Sequence, residues 1–440
     1  MKYCLAIDIG ASGGRHIVGW RGEGGIETFE VYRFENGMDN VDGHLVWDVE
    51  RLFSEVKRGI REAFAKFPII ESLSIDTWGV DYVLMKGDEA VLPAYAYRDS
   101  RVDEAIEAVH AIISPEEIYS LTGVQQLSFN TIYQLYSDKL AGRLEGVTDF
   151  LMIPEYLMYR LTGVKMKEFT EASTGALVNA ESGQFDESIF SRLGFPKCLM
   201  GHLSSPGTYV GTLTDEVVRE VEGRCNVVFC ATHDTGSAVE AIEMDSDSPY
   251  ISSGTWSLLG VKTAKPLTDE KSRKSGYSNE GGVGYNRYLK NITGMWIIQS
   301  LRREMCPDTS YGDIAYMASK SEYCRLFDVN DGRFMAPVSM KEAIRGYFAE
   351  RGIEEPKCDA DYFNCAYHSL ADGYRKAIEE LESNVGKSYS EIYIVGGGAK
   401  NTYLNGLTEK YTKKRVVALP IEATAIGNLK IQLEMTEGKR

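Results

Sequence analysis

The stretch NVVFCATHDTGSAVE, residues 226–240, decides the fold class of this chain. An apolar run, Val227–Ala231, stops at the polar sequence Thr232–Gly236, and a small-residue helical pattern follows. This order predicts a buried strand, a tight turn and a helix. Ligands of open α/β sheets bind beyond the carboxyl ends of the strands, so we expect Asp234 to face a cleft. Asp234 is our candidate catalytic base; the alternative is that it only caps the following helix.

The composition excludes several classes of partner. The chain has 440 residues, 43% of them hydrophobic and 25% charged, which is typical of a globular protein with two to three domains. It carries 48 basic and 64 acidic residues, a net charge of −16. The electrostatic field of this negative net charge repels nucleic acid and anionic membrane surfaces, so we expect neither as a partner.

Cysteine usage and the N-terminus predict the compartment. Eight cysteines form no CxxC motif and no metal-like pairing with the six histidines, which is typical of reduced thiols in a cytoplasmic protein. The apolar run Tyr3–Ile7 is interrupted by Asp8 and is too short for a signal peptide. No stretch approaches the roughly 18 apolar residues of a membrane span.

A glycine-rich loop, Asp8–Arg15, lies between two strand-like segments near the N-terminus. A dinucleotide-binding fingerprint or a P-loop would open a helix, so the loop is neither. It suits a hairpin whose backbone amides approach phosphate oxygens, with Ser12 and Arg15 as further donors. Asp8 at the strand end is positioned to hold a hydrated Mg²⁺. The alternative is a glycine-rich β-turn without a ligand.

The segment Leu73–Tyr82 predicts another strand, which is followed by an aromatic residue and carboxylates. Sugar rings present an apolar face and a rim of hydroxyls, so Trp78 beside Asp76 and Asp81 predicts a sugar platform. Trp78 is equally compatible with a core aromatic.

The opening pattern recurs after the polar linker Asp245–Pro249. Tyr250–Val261 is again a strand, a small-residue turn and a strand, which predicts two duplicated domains, 1–245 and 246–440, with opposed phosphate loops. Gly254 and Thr255 would bring an amide and a hydroxyl to the outer phosphates.

Two later segments add candidate nucleotide contacts. A helix over Gly294–Met305 carries Gln299, and the strand Ile392–Val395 ends in Gly396–Gly398. Three glycines at a strand end let a purine or ribose lie against bare backbone; the alternative is a plain loop.

Together these motifs resemble the FGGY family of carbohydrate kinases. The resembling stretches run in order over nearly the whole chain: Ala11–Arg15, Ile75–Asp81, Ala96–Arg101, His233–Thr235, Ser252–Leu258 and Ile394–Gly398. The resemblance implies an α/β fold of two duplicated domains of the actin, hexokinase and Hsp70 group, which is ribonuclease H-like, with a cleft between them.

The resemblance also implies the site residues. ATP is expected to contact Ala11, Ser12, Gly13, Gly14, Arg15, Thr255, Gln299 and Gly397. A ketose is expected to contact Gly79, His233, Asp234, Thr235 and Asn291, and Trp78 is expected to contact it as the aromatic platform. Asp234 is then the base, Mg²⁺ accompanies ATP near Asp8, and no obligate protein partner is implied.

The function expected is ATP-dependent phosphorylation of a ketose. Two alternatives remain open at this stage: a family member acting on another ketose or polyol, such as fuculose, xylulose or glycerol, and an ATPase of the same fold that phosphorylates no small molecule. Related kinases usually continue for another helix beyond Glu422–Gln432, so we expect a second domain that is short at its C-terminus.

Overall fold

The computed structural model describes residues 2–244, 248–419 and 422–439. The chain forms two compact units: unit 1 contains Met1–Glu243, Thr263–Tyr288 and Glu422–Arg440, and unit 2 contains Met244–Lys262 and Leu289–Ile421. Unit 1 is therefore discontinuous in sequence. The domain boundary between residues 245 and 246 lies outside the described residues, and that division stays a prediction.

The described residues form strands and helices throughout the chain. The strands are β1 (Cys4–Gly10), β2 (Gly13–Gly22), β3 (Gly25–Glu35), β4 (Asp39–Val41), β5 (His44–Trp47), β6 (Ser72–Thr77), β7 (Tyr82–Lys86), β8 (Glu89–Val91), β9 (Ala94–Tyr95), β10 (Asp149–Met152), β11 (Lys167–Glu168), β12 (Leu203–Ser204), β13 (Tyr209–Thr212), β14 (Asn226–Val228), β15 (Tyr250–Ser253), β16 (Trp256–Thr263), β17 (Ser278–Gly281), β18 (Asn286–Thr293), β19 (Glu391–Val395) and β20 (Arg415–Leu419). The α-helices are α1 (Val49–Lys66), α2 (Asp103–Ile112), α3 (Pro115–Thr122), α4 (Thr131–Leu140), α5 (Ile153–Thr162), α6 (Phe169–Ala172), α7 (Glu187–Leu193), α8 (Asp215–Val221), α9 (Asp234–Glu240), α10 (Glu270–Lys274), α11 (Trp296–Met305), α12 (Tyr311–Ala318), α13 (Met340–Glu350), α14 (Asp359–Val385), α15 (Thr402–Thr412) and α16 (Ala423–Thr436).

The main sheet of unit 1 has the strand order β13-β14-β6-β1-β2-β3. β1 pairs in parallel with β6 and β6 with β14, whereas β2 and β3 are antiparallel additions. β1 and β6 are buried on both faces, as parallel strands covered by helices usually are. Their register places Asp8 opposite Asp76. Both carboxylates therefore lie towards the carboxyl ends of these strands, the end where ligands bind.

Helix α1 covers one face of this sheet because its apolar residues recur at helical spacing. Leu52, Phe53, Val56 and Ile60 are buried, and the Asp48 side chain accepts a hydrogen bond from the Arg51 amide at the helix start. The apolar spacing between Val49 and Phe64 alone predicts a helix, and the helix in the structure covers this range and extends to Lys66.

Helix α16 covers the other side of β1 and β2. Ala425, Leu429 and Leu433 are buried with Cys4 and Ile17 of these strands in one cluster. A Cβ at Gly427 would lie 1.8 Å from the Ser237 carbonyl oxygen of α9, so glycine is required for the close approach of the two helices.

Unit 2 repeats the local topology of unit 1. β15 and β16 form an antiparallel hairpin, and β15 pairs in parallel with β19, which pairs in parallel with β20. The hairpin β1–β2 beside parallel β6 has the same arrangement, so the strand–turn–strand repeat expected from the sequence is confirmed. Over the residues described, no helix is both long and apolar enough to cross a membrane.

Candidate active site

Asp234 lies where two parallel strands of unit 1 end side by side. The Thr77 amide donates to the Thr232 carbonyl (2.9 Å), and an isolated parallel bridge joins Thr77 to His233. This pairing brings the segment after β6, with Trp78 and Gly79, beside the turn that carries His233 and Asp234. The predicted order of strand and helix is confirmed, but β14 ends at Val228, before the end of the apolar run at Ala231, so a longer connection than a tight turn leads to α9.

The helix α9 begins at Asp234, with His233 at the cap position. Among the described residues, Asp234 Oδ1 accepts only from the adjacent Thr235 amide, at 2.5 Å, and Oδ2 accepts from none; Oδ1 lies 3.6 Å from His233 Nε2. Burial raises the pKa of Asp234, and the Asp8 carboxylate adds to that rise. A carboxylate with this environment and with one oxygen uncommitted suits a proton acceptor.

Gly79 is packed closely against His233. A Cβ at position 79 would lie 3.1 Å from Thr174 Oγ1 and 3.2 Å from His233 Nε2, so a side chain there would fill the space in front of the imidazole. The next residue, Val80, has a φ of 72°, which is strained for a β-branched residue. Its amide donates to Thr174 Oγ1 and its carbonyl accepts from Thr131 Oγ1, which holds this conformation.

Trp78 has a structural partner in Asp81. The Nε1 groups of Trp78 and Trp47 both donate to Asp81 Oδ2, at 2.9 and 2.7 Å, and the two indole rings lie 4.1 Å apart. Gln134 donates to the other carboxylate oxygen of Asp81. Asp81 therefore uses both oxygens within the protein, and Trp78 is only 7% exposed. A sugar contact by Trp78 stays a prediction.

The β1–β2 turn carries the predicted phosphate-binding residues Ala11–Arg15. Arg15 Nη2 donates to Asp8 Oδ2 at 2.7 Å, and Nη1 forms an ion pair with Glu422 of unit 1. A Cβ at Gly13 would lie 3.0 Å from the Phe34 carbonyl, and one at Gly14 would overlap the Phe34 ring. These glycines are thus required for the packing of β2 on β3. Ser12 at the turn is exposed.

The Asp8 region suits a hard cation. Asp76, in register with Asp8, has a buried Oδ1 with no hydrogen-bond partner among the described residues, while its Oδ2 accepts from Asn428. Mg²⁺ is usually held by one or two carboxylates together with water and substrate phosphates. Asp8, with the free Asp76 oxygen nearby, fits that donor set. Over the described parts of the chain, no group of three or more metal-ligating side chains occurs.

In unit 2, two of the three predicted nucleotide residues line a cavity of about 800 Å³. Gln299 and Gly397 line it, as do Gly254 and the aromatic residues Tyr311 and Tyr316. No atom of the described residues lies within 4 Å of where a Cβ at position 397 would be, so its open side faces free space. An apolar, aromatic wall beside bare backbone suits a flat base.

The Thr255 turn is fixed to the helix that carries Gln299. The amides of Met295 and Trp296 donate to the carbonyls of Gly254 and Thr255, at 2.9 and 3.0 Å. The exposed Thr255 therefore has a defined position relative to Gln299. Asn291 lies on β18, in unit 2, and is exposed.

Two residues that the sequence analysis does not single out complete the site in unit 1. Arg287 Nη1 donates to Thr235 Oγ1 at 2.9 Å, and Nη2 donates to His233 Nδ1 at 3.2 Å. Glu280 Oε2 lies 3.1 Å from Arg287 Nη2. Burial opposes ionisation of Glu280, but the Arg287 guanidinium lowers its pKa. The two residues lie more than forty positions after His233, on the paired strands β17 and β18. The sequence of these strands contains no motif that indicates a site.

Comparison with known proteins identifies the family. The N-terminal domain model of the FGGY family of carbohydrate kinases matches residues 3–239, and the C-terminal domain model matches residues 249–434. This chain belongs to the FGGY family of carbohydrate kinases. It is therefore an enzyme that phosphorylates a carbohydrate, and the alternative of an ATPase without a small-molecule acceptor is set aside.

The FGGY assignment agrees with individual relatives. A rhamnulokinase of Oceanobacillus iheyensis is 40% identical over 438 residues, covering 98% of this chain and 93% of that protein. A rhamnulokinase of Bacillus subtilis is 38% identical, covering 97% of this chain and 89% of that protein.

Solved structures show the FGGY fold. Xylulose kinase from Lactobacillus acidophilus superimposes with a TM-score of 0.83 at 16% identity, covering 100% of this chain and 90% of that one. Glycerol kinase from Plasmodium falciparum gives a TM-score of 0.79 at 14% identity, covering 100% of this chain and 93% of that one. The predicted α/β class with two duplicated actin-like domains is confirmed.

Proposed function

We propose that this FGGY kinase phosphorylates L-rhamnulose to L-rhamnulose 1-phosphate with ATP and Mg²⁺, in the cytoplasm as a step of rhamnose breakdown. The substrate is supported by relatives named rhamnulokinase that are 37–41% identical over nearly the full chain. The chemistry is supported by one observation in the structure: Asp234 lies beside His233 and Gly79, and one of its carboxylate oxygens accepts no hydrogen bond from the residues that the structure describes.

In the proposed reaction, the sugar's 1-hydroxyl oxygen attacks the terminal phosphorus of ATP. The new O–P bond forms as the bond to the ADP oxygen breaks, and the hydroxyl proton passes to Asp234. Phosphoryl transfer needs mainly alignment and charge neutralisation, so a carboxylate that accepts the proton late in transfer suffices.

The remaining roles follow the predicted site. Gly79, His233, Thr235, Asn291 and Trp78 orient the ketose. The phosphates and the adenosine are assigned to Ala11, Ser12, Gly13, Gly14, Arg15, Thr255, Gln299 and Gly397. Asp8 is the side chain proposed to hold Mg²⁺, which when bound neutralises phosphate charge. Arg15 adds a cation at the same turn.

A coupled ADP-release assay tests this proposal. We expect the highest kcat/KM with L-rhamnulose among a panel that also contains L-fuculose, D-xylulose and glycerol, and no turnover when Mg²⁺ is removed. If another sugar or polyol of the panel gives a higher kcat/KM, that compound replaces L-rhamnulose as the proposed substrate. Equal ATP turnover with and without any sugar would contradict the proposal as a whole.

A further inference from the structure

Arg287 is a fully buried arginine whose guanidinium is directed at two residues of the candidate site. Its side chain has an exposed fraction of 0%. Besides the contacts to Thr235 and His233, its Nε donates to the Gly281 carbonyl at 2.7 Å. A buried cation is costly unless it is paired and hydrogen-bonded. Glu280 supplies the pairing charge, and the three acceptors bind all three guanidinium nitrogens.

This arrangement constrains the proton on His233. A guanidinium has only N–H donors and cannot accept a hydrogen bond, so the Nδ1 that faces Arg287 Nη2 must offer its lone pair. We infer that Arg287 is a positioning residue that holds His233 as the neutral tautomer with its proton on Nε2. An imidazolium, with a proton on both nitrogens, would point an N–H at the guanidinium.

The consequence lies at Nε2, on the other side of the imidazole. Nε2 is 3.6 Å from Asp234 Oδ1 and 3.2 Å from where a Cβ at Gly79 would be. Arg287 thus directs a hydrogen-bond donor into the space in front of Gly79. There, the Nε2–H group can donate to a sugar oxygen while the reacting hydroxyl gives its proton to Asp234.

Thr235 is oriented by the same guanidinium. Its Oγ1 accepts from Arg287 Nη1, which leaves its own hydroxyl hydrogen to be donated elsewhere. The Thr235 hydroxyl also lies 3.1 Å from His233 Nδ1 and can donate to the same lone pair, which agrees with a proton on Nε2.

Glu280 favours the opposite tautomer of His233, with the proton on Nδ1, so an experiment that locates the proton tests the inference. Its Oε2 lies 3.4 Å from His233 Nδ1, so a histidine governed by Glu280 would carry its proton on Nδ1. The Arg287 nitrogen is nearer to Nδ1, at 3.2 Å, and it also forms the ion pair with Glu280 at 3.1 Å.

Nuclear magnetic resonance distinguishes the two tautomers directly. The full-length protein is labelled with ¹⁵N-histidine, and His233 is identified among the six histidines from the signal lost in His233→Gln. We expect the long-range ¹H–¹⁵N pattern of the Nε2–H tautomer in the wild type, and its loss in Arg287→Met. An Nδ1–H pattern in the wild type would overturn the inference.

Two variants serve as controls for this measurement. Glu280→Gln keeps the arginine contact to Nδ1, so we expect the Nε2–H pattern to persist; a change of tautomer would show that Glu280 governs His233. Arg101→Met removes another buried arginine of unit 1, paired with Asp138, and is expected to leave the His233 signals unchanged. Glu280→Gln also keeps the inference falsifiable if Arg287→Met does not fold.

Kinetics provides the second readout. The inference rests on the proposed sugar kinase function, but the resonance experiment needs neither sugar nor ATP, so the two can fail separately. We expect Arg287→Met to raise KM for L-rhamnulose about tenfold, the scale of one lost hydrogen bond, with KM for ATP unchanged. An unchanged sugar KM in folded Arg287→Met would overturn the positioning role, because a purely structural arginine would alter only stability.

Discussion

Asn428 of α16 donates a hydrogen bond of 2.5 Å to the buried carboxylate of Asp76, although 352 residues separate the two in sequence. Gln432 Nε2 donates in turn to Asn428 Oδ1 at 2.6 Å, and Ser72 Oγ donates to Gln432 Oε1 at 2.7 Å. Asp76 is in register with Asp8, the proposed Mg²⁺ ligand. A late helix of the chain therefore supports the strand ends at which the site of unit 1 is built.

Replacing Asn428 tests that support. In Asn428→Leu, neither oxygen of the buried Asp76 has a hydrogen-bond donor, so we expect the free energy of unfolding to fall by about 1–3 kcal/mol. Chemical denaturation measures the loss. A double-mutant cycle with Gln432→Leu should be non-additive, since both residues belong to one chain of hydrogen bonds. Strictly additive losses would show that the two amides act independently.

Asp234→Asn separates a catalytic from a structural aspartate. Asparagine retains the shape and can still accept from the Thr235 amide, but it cannot accept a proton. We expect kcat to fall by about 10²- to 10⁴-fold, with the melting temperature and sugar binding preserved. Near wild-type kcat would move the search for the base to Asp8, Asp76 and Asp81.

Gly397→Val probes the cavity of unit 2. Because no described atom lies within 4 Å of a Cβ built at position 397, the new side chain would be tolerated by the protein and would occupy cavity space. We expect calorimetry to show weaker ATP binding and unchanged sugar binding. Gly346→Val is the matched control, since position 346 on α13 is equally open but lies outside the residues that line the cavity. Equal ATP affinity in both variants would refute the assignment of Gly397.

Substitutions of two nearby buried glutamates, Glu168 and Glu171, are expected to change stability in opposite directions. Neither oxygen of Glu171 has a hydrogen-bond partner among the described residues, whereas Glu168 accepts from both the amide and the hydroxyl of Thr170 and from the Thr232 hydroxyl. We expect Glu171→Met to raise the free energy of unfolding by about 1–3 kcal/mol and Glu168→Met to lower it. Destabilisation by both substitutions would contradict this account.

The gain from Glu171→Met should also depend on pH. Burial, reinforced by the Glu155 carboxylate, raises the pKa of Glu171 well above the value of 4.5 expected in the unfolded chain. The folded protein therefore binds a proton that the unfolded protein releases, and its stability falls as pH rises above 4.5. Glu171→Met removes this loss, so its advantage should grow between about pH 5 and about pH 8 in denaturation curves. An advantage that stays constant over this pH range would show that Glu171 is ionised in the folded state.

Local patterns in the sequence predict the elements and much of the candidate site. The apolar spacing of Val49–Phe64 specifies α1, and the small-residue turns specify both hairpins, because these signals depend on neighbours in sequence. The strand before His233 and the helix after it are predicted for the same reason.

Partnerships between distant polar residues cannot be predicted in this way. Arg287, Glu280 and Asn428 acquire their partners only when strands and helices far apart in sequence pack together, and nothing in a one-dimensional pattern specifies a hydrogen bond. The environment of Trp78 is a further example. Its indole N–H donates to Asp81, three residues later, and the second indole on the same carboxylate comes from Trp47.

The position of α16 on β1 and β2 has a consequence for synthesis of the protein on the ribosome. Cys4 and Ile17 emerge early, but the helix residues that bury them, Ala425 and Leu429, are translated only after the whole of unit 2. Unit 1 therefore cannot fold completely during translation. Until α16 is made, the apolar face of β1 and β2 that it covers is exposed to solvent or to a chaperone. Helix α16 can cover this face only after unit 2 has left the exit tunnel. The first strand to be synthesised is therefore among the last to be fully buried.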